Sequence, residues 1–560
     1  MTPRAAIIGQ TSSVLLDLDL RGTVLRFTTA PAELTVTDRL GVSYVYAPGL
    51  QVGDISRELG APLEQIGITI SREANPGWAK LRARGYRLGM GSATLRQHYG
   101  SQTLEQAEVL IRGSLTAPSY GDEYEPFSAG VERRLRDGGM IPGEQHRIDD
   151  TTWPVQAPDY VIDEASVGQV YPIPIGYPGR VEGGDVDAPT TPAFLVEWGV
   201  GVAGRLTSQA IIALGEVDAD YVTLHNISHP PHDGTGLEDP SVPGPFTRPV
   251  VTGVDLLGEV VSTIDWNDVT LPMAKRETDY RIAWDQGGGV LNRERTGPLR
   301  GAGEVIRWLL EEWTTLRVDS GRMEAQRELL DAYKLDFCIA SRCNVWDLVR
   351  SRIAPLLPVD WRESENGGYF QARKLDADRT QVTAVLIATP NDEAANCVRT
   401  SALQSAGDRI FNRVTVLYAP GGQQGAYLRS VTVDAEASTT DPRIQGSMLA
   451  KVSQTLLKTY DDDGIRDLQI SADLVFDEST ARRIARDAIL QYAVPRESVS
   501  VQGGTELDYL DLGDVVSLTD SSIYLTSEVA IVQAKTTGES FVALSLLLLN
   551  DPVRSLRVTT

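Results

Sequence analysis

Short runs in which apolar and polar positions alternate with a period of two, the pattern of half-buried β-strands, recur along this 560-residue chain. The stretch Leu507–Leu549 shows it most fully and reads as a β meander with short polar turns. Within it, Val515, Ser517 and Thr519 alternate with Asp514, Val516 and Leu518, so both faces are partly apolar and both are expected to be covered. Nearer the start, Ser13–Leu20, Val24–Thr28, Glu33–Val36, Ser43–Tyr46, Ile66–Ile70 and Glu108–Arg112 read as strands, with Asp54–Leu59 as one or two helical turns and Val131–Arg136 as a short charged helix. Strand patterns return at Pro192–Trp198, Ala210–Leu214, Tyr221–Leu224, Val250–Ile264, Thr380–Ile387, Asn412–Tyr418 and Val431–Ala435.

The period changes to three and four in one region. Val305, Leu309, Trp313 and Leu316 place one apolar stripe on a helix over Ala302–Leu316, and Glu324–Tyr333 and Val345–Ala354 read as two more helices. Pro355 and Pro358 close the last of these. A further helix is expected over Arg443–Leu457. Another begins at a Ser479 N-cap and runs through Tyr492, its stripe of Ala481, Ile484, Ala488, Ile489 and Tyr492 spaced to pack on a sheet. That helix, followed by the Leu507–Leu549 meander, reads as one helix-plus-sheet module. The fold class is therefore mainly β with a smaller α-rich region (α+β), in several domains.

Glycine, proline and polar runs divide the chain. The segments are a β domain at 1–137, a Gly/Pro-rich strap at 138–190, a β domain at 191–284, an α-rich segment at 285–360, a β domain at 361–475 and the helix with its C-terminal β module at 476–560. In the strap, Pro172, Pro174 and Pro178 alternate with apolar residues, which suits extended backbone lying on a neighbouring surface and excludes a central strand. The loop between His229 and Pro249, with Pro231 and Asp233 near its start, is too rich in turn residues for a helix. Long irregular loops on rigid scaffolds often carry recognition, so His229, Pro231, Asp233 and Pro249 mark a candidate partner loop.

The formal net charge is −24, which argues against a protein that grips the outside of DNA, since that requires basic patches that release counterions. The same charge fits a soluble surface, or the wall of a conduit along which DNA slides. Three cysteines are too few for a disulfide framework and suit assembly in a reducing cytosol. The opening MTPRAAIIGQTSS holds no apolar run of signal-peptide length, and Leu544–Leu549 is far too short to span a membrane, so a soluble chain is expected.

Candidate chemistry is sparse. His225, His229 and His232 are three of the five histidines, and a folded loop could bring them onto one metal ion. Pro230 and Pro231 forbid the helix that metalloprotease motifs need, so a polar loop is the preferred reading and no cofactor is expected. Gly199, Gly201 and Gly204 match GxGxxG without the βαβ context and are read as a glycine-rich strand turn. Gly287, Gly288 and Gly289 precede a helix without a following Gly-Lys-Ser/Thr and are read as a flexible turn. Asp461–Gly464 resembles a calcium loop but lacks the closing Glu, for which Asp467 is a poor substitute. Cys338 and Cys343 read as small residues on or beside a helix. No GxSxG elbow occurs and every His precedes every Cys, so no catalytic residue is assigned and the chain is read as a non-enzyme.

Several stretches together resemble the tail hub (baseplate hub or tail-tip) proteins of long-tailed bacteriophages. They are GYRLGMGSATLRQHYG, AEVLIRGSLTAPSYGDEYEPF, DDTTWP, YPIPIGYPG, WDQGGGVLNRERTGPLRGAGEVIRWLLEEWTTLRVD, LLDAYKLDFCI, the helix around Trp346 ending in PLLPV, and LDLGDVVSLTD. The resemblance implies tail-tube-like β-barrel domains, two per subunit, in a homotrimeric ring that closes the distal end of the tail tube. It implies as partners a hexameric tube ring, the tape-measure protein and tip or fibre proteins, with DNA passing through the lumen unbound. It also implies assembly in the host cytoplasm and residence at the virion's tail tip. A receptor- or carbohydrate-binding tail protein and a β-rich glycan hydrolase are the alternatives. Within the C-terminal module, Gly513 is expected to permit a tight turn that Asp514 caps, both serving folding and assembly.

Overall fold

The computed structural model describes residues 12–20, 22–53, 55–58, 65–71, 84, 91–116, 119–120, 127–132, 139–147, 160–161, 170–180, 193–194, 200–201, 209–218, 221–226, 246–256, 259–265, 280–284, 288–364, 366–373, 377, 379–405, 410–420, 427–434, 453–454, 458, 464–493, 496–538 and 541–549. The protein is mainly β, with its strands in several separate sheets.

The first large sheet has ten strands and is built from residues 12–132. Ser12–Asp19 runs antiparallel to both Val24–Thr28 and Ser92–Tyr99, and the sheet continues through Glu108–Leu115, Phe127–Glu132 and Gln65–Ile70 to Leu50–Val52. Leu16, Leu18, Phe27, Ile68, Leu95 and Ile111 bury one face. The neighbouring Leu15 points the other way, into a small cluster with Val36 and Tyr46, because the hairpin of Leu34–Thr37 and Ser43–Pro48 covers that side. Val131 and Glu132 belong to a strand, where a charged helix was expected; both pair with Glu108–Leu115 and with Gln65–Ile70.

Ile55–Glu58 is likewise a strand, in place of the expected helical turns. It leaves the first sheet and pairs antiparallel with Ala534–Thr537 of the C-terminal sheet. Ile55–Glu58 reads ISRE, one apolar residue followed by three polar ones, too short a run to fix its own conformation, and a ready strand edge decides it.

The middle of the molecule is one continuous core. α1 (Ala302–Trp313) buries Val305, Ile306, Leu309 and Leu310. α2 (Ser320–Leu330) starts at Asp319, whose side chain accepts from Arg322 N at 3.0 Å. α3 (Val345–Leu348) runs on into a π turn over Val349–Ile353 and a 3-10 turn over Ala354–Leu356. The expected strap is seated on this core. Ile173–Ile175 pairs with Phe337–Ile339 alone, an edge position that tolerates Pro174, while Ile173 and Ile175 are fully buried. Gly176 (φ +66°) turns the strap past Asp336. The Asp336 carboxylate accepts from Tyr177 N at 2.8 Å and from Arg300 Nε at 2.8 Å, and Arg300 lies over the Tyr177 ring.

α4 (Glu478–Tyr492) corrects two expectations. Its N-cap is Asp477, which accepts from Thr480 N at 2.8 Å; Ser479 lies inside the helix and donates to the same carboxylate. Its buried stripe, including Ala481, Ile484, Ala485 and Ile489, packs with Val414, Val416, Val431 and Val433 of the sheet formed by Arg413–Pro420, Tyr427–Val433 and Asp467–Ser471. The helix therefore belongs to the central core, and the C-terminal meander has a core of its own. The expected helix over Arg443–Leu457 lies almost wholly outside the described residues.

That meander is an eight-stranded sheet in which Val515–Asp520, Leu525–Thr537, Val542–Leu548 and Glu497–Gly503 are consecutive neighbours. Val515–Asp520 also pairs in parallel with Ala384–Ile387. The apolar run at its end sorts by register: Val542, Leu544, Leu546 and Leu548 are fully buried and the residues between them are not. Gly513 adopts φ +70° and donates to Val532 O at 2.7 Å, and the Asp514 carboxylate accepts from Asp511 N at 2.8 Å. A Cβ at Gly513 would stand 2.5 Å from Nη2 of Arg362, whose guanidinium is engaged by Leu512 O. Gly513→Val forces a β-branched residue into the left-handed region and is expected to cost about 1–3 kcal/mol. Urea unfolding of the purified variant measures this, and an unchanged midpoint would remove Gly513 from the folding role.

Candidate functional site

Two places in the fold concentrate charge. The first is a cleft of about 500 Å³ along α1 and α2. Leu299 and Met323 form its buried floor, and Trp308 stands in its wall. Arg307 bridges Glu311 (3.0 Å) and Glu324 (2.8 Å). Arg327 reaches Glu324 (3.3 Å) and Asp331 (3.1 Å). Asp331 also caps the start of α1, accepting from Glu304 N at 2.9 Å. Burial, and then the charge of Asp331, hold the Glu304 carboxyl above its ordinary range. The cleft offers carboxylates and an indole face on rigid helices.

The second place joins the two large sheets. Asp508 and Lys535 are both almost completely buried, with Lys535 Nζ 2.6 Å from Asp508 Oδ1 and 2.6 Å from Asp508 O. Thr537 Oγ1 donates to Asp508 Oδ1 at 3.1 Å, and Tyr99 of the first sheet donates its hydroxyl to Oδ2. Burial alone would raise the Asp508 carboxyl. The Lys535 charge and the hydrogen bonds from Lys535, Tyr99 and Thr537 more than offset it, leaving the group below its ordinary value.

The residues singled out in the sequence fall elsewhere. His225 lies on the strand Tyr221–Asn226, opposite Arg281; His229, His232, Pro231 and Asp233 lie outside the described residues. Pro249 is exposed, at the end of Phe246–Pro249 and opposite Tyr221. Among the described residues no group of three or more His, Cys, Asp or Glu side chains is placed to hold a metal ion. Gly201 sits in a two-residue strand paired with Tyr160–Val161, while Gly199 and Gly204 are outside the described residues. Gly288 and Gly289 form no flexible turn. Gly289 crosses the strap so closely that a Cβ on it would strike the Pro174 backbone, and a Cβ on Gly288 would strike Pro298 and Asp218 O; Gly287 lies outside the described residues. Asp467 is a strand residue 3.5 Å from Arg413, and Asp461–Asp463 are outside the described residues.

Cys338 and Cys343 are on short strands, Cys343 only two residues before α3. Burial pushes the Cys338 thiol up to about 12 and raises that of Cys343. Burial, then the nearby Asp520 charge, brings Cys397 up to about 11, so these thiols are not nucleophiles at neutral pH. No helix among the described residues is long and apolar enough to cross a membrane.

No family model matches the chain, and no curated protein matches it in sequence. Among solved structures it is similar to the tail protein from Neisseria meningitidis MC58, at 10% identity and a TM-score of 0.37, covering 95% of this chain and 96% of that one. It is similar to the 43 kDa tail protein of prophage MuSo2 from Shewanella oneidensis, at 10% identity and a TM-score of 0.36, covering 96% and 99%. A chain of the virion of a native gene transfer agent particle aligns at 10% identity and a TM-score of 0.35, covering 73% of this chain and 88% of that one.

Because its folded-state value is depressed, the Asp508 carboxylate contributes stability above about pH 4, and that contribution is lost as pH falls through the folded value. Lys535→Met leaves this carboxylate buried without its cation and is expected to destabilise by about 3–5 kcal/mol at pH 7. The double variant with Asp508→Asn is expected to recover much of the loss. Urea unfolding against pH distinguishes these, and a Lys535→Met protein as stable as the parent would show that the pair does not hold the junction.

Proposed function

We propose that this chain is a structural, non-enzymatic hub of a bacteriophage tail tip. Its copies form a homotrimeric ring that closes the distal end of the tail tube and joins the tube to tip or fibre proteins. The observation that carries the reading is the resemblance to tail hub proteins, which is spread over most of the chain and is made of strand, turn and aromatic patterns. Two architectural features support it. Each subunit holds two large β-sheets, of ten and eight strands, as a ring with two tube-like β modules per subunit requires. The segment between two strands of the first sheet lends Ile55–Glu58 to the C-terminal sheet, and Tyr99 of the first sheet donates to the buried Asp508–Lys535 pair of the C-terminal module, which suits a part that transmits force between a tube and its attachments.

Three subunits with two β modules each present a pseudo-sixfold face to a hexameric tube ring. The tape-measure protein and then DNA pass through the lumen, and the net charge of −24 keeps DNA from adhering to it. The segment from His229 to Pro249, read as a loop in the sequence but ending in the strand Phe246–Pro249, is the proposed contact for tip or fibre proteins. Assembly takes place in the host cytoplasm, and the finished chain resides at the tip of the virion.

The purified chain is expected to run in light scattering at three times its 60.9 kDa mass and to cap isolated tube rings. Gold label directed at it is expected at the tail tip in electron micrographs of particles. A stable monomer that binds or hydrolyses glycans, or label elsewhere on the particle, would overturn the assignment.

A further inference from the structure

Glu304, Trp308 and Glu312 follow one another on α1 at steps of four residues. That spacing sets them on one side of the helix, about 6 Å apart along its axis. All three line the cleft, over the floor of Leu299 and Met323.

The ion pairs in the cleft are unevenly distributed. Five glutamates line it against three arginines. Arg293 goes to Glu311 at 3.7 Å, Arg307 to Glu311 and Glu324, and Arg327 to Glu294 at 3.5 Å, Glu324 and Asp331. Among the described residues no ion pair reaches Glu304 or Glu312. Those two carboxylates flank the Trp308 indole, which is fixed edge-on against Trp313 at a centroid distance of 6.0 Å. An anion entering the cleft would meet Arg307 and Arg327 already paired with carboxylates, and an exposed Arg293 that reaches Glu311 at 3.7 Å. A cation would meet the Glu312 carboxylate, which no ion pair among the described residues reaches, and the Glu304 carboxylate, which has only a hydrogen bond from the Arg293 backbone and the nearby charge of Arg327, with an aromatic face between them.

We propose that this cleft binds a basic peptide segment of a partner protein, with two arginine or lysine side chains taken by Glu304 and Glu312 and an aliphatic stem lying on Trp308. The cation supplies the charge the cleft lacks, and the buried floor accepts an apolar side chain between the two basic ones. Glu304 and Glu312 are about 12 Å apart along the helix, which is close to the reach of side chains four residues apart in an extended peptide. The recognition does not rest on the tail-hub reading, because one subunit carries the whole cleft.

The test uses the full chain and a fluorescein-labelled peptide with two arginines four residues apart and leucine between them, followed by anisotropy at low salt. The peptide is expected to bind, and the same peptide with glutamates in place of its arginines is not. Glu304→Gln with Glu312→Gln is expected to weaken binding about tenfold, and Trp308→Leu about threefold, with the unfolding midpoint of the double glutamine variant unchanged. No binding of the basic peptide, equal binding of the acidic one, or undiminished binding to the double glutamine variant would each overturn the proposal. So would displacement by spermidine with no effect of Trp308→Leu, which would reduce the attraction to diffuse charge.

Discussion

A carboxylate and an ammonium group out of reach of water, both in the C-terminal module, form the anchor to which Tyr99 of the first sheet is hydrogen-bonded. Burying either alone would cost several kcal/mol, so Asp508 and Lys535 are tolerated only as a pair, and only if the remaining hydrogen-bond capacity of the carboxylate is met. Thr537 and Lys535 meet it from the C-terminal sheet, and Tyr99 meets it from the first. The strand Ile55–Glu58 lies along the same edge, beside Ala534–Thr537. An apolar contact at this junction would tolerate sliding. A buried, hydrogen-bonded ion pair tolerates very little, so the sheets are fixed in register as well as in contact.

The central core depends on a similar device. Asp336 is fully buried and is shared between Arg300 and the backbone of the strap at Tyr177. A segment with prolines at Pro172, Pro174 and Pro178 cannot enter a sheet through continuous backbone pairing. It is held by a short pairing of Ile173–Ile175 with Phe337–Ile339, by one carboxylate, by two buried isoleucines and by glycines that let the chains cross closely. Both junctions use an acidic side chain to fix backbone that hydrophobic burial alone would leave free to shift.

Much of this architecture was legible in the sequence. Alternation of apolar residues located strands such as Ser12–Asp19, Arg413–Pro420 and Val542–Leu548, but not Ser92–Tyr99, Phe127–Glu132, Val359–Ser364, Gly367–Ala372 or Asp467–Ser471. The α1 stripe and the seating of the strap were legible from the spacing of apolar residues as well. The other features that were not legible share one property, dependence on a distant partner. Ile55–Glu58 becomes a strand only because of an edge far along the chain. The stripe of α4 announces that it packs on a sheet and cannot say which of two neighbouring sheets. Asp508 and Lys535 look in sequence like any surface charges. Glu304, Trp308 and Glu312 form a pattern only after the ion pairs around them are known.

The strand that the N-terminal segment lends to the C-terminal sheet also has a consequence for when the fold can be finished. Ser56 and Thr536, neighbours across it, are 480 residues apart in the chain. Closing a loop of that length carries an entropy cost of about 5 kcal/mol before any local contact is counted. During synthesis the first sheet can form early, but the edge meant for Ile55–Glu58 does not exist until the last strands leave the ribosome. Until then this segment lacks its partner strand, so the final locking step is slow and late. Completion of the junction is thereby tied to synthesis of Leu525–Thr537, and a product truncated before that strand cannot present it.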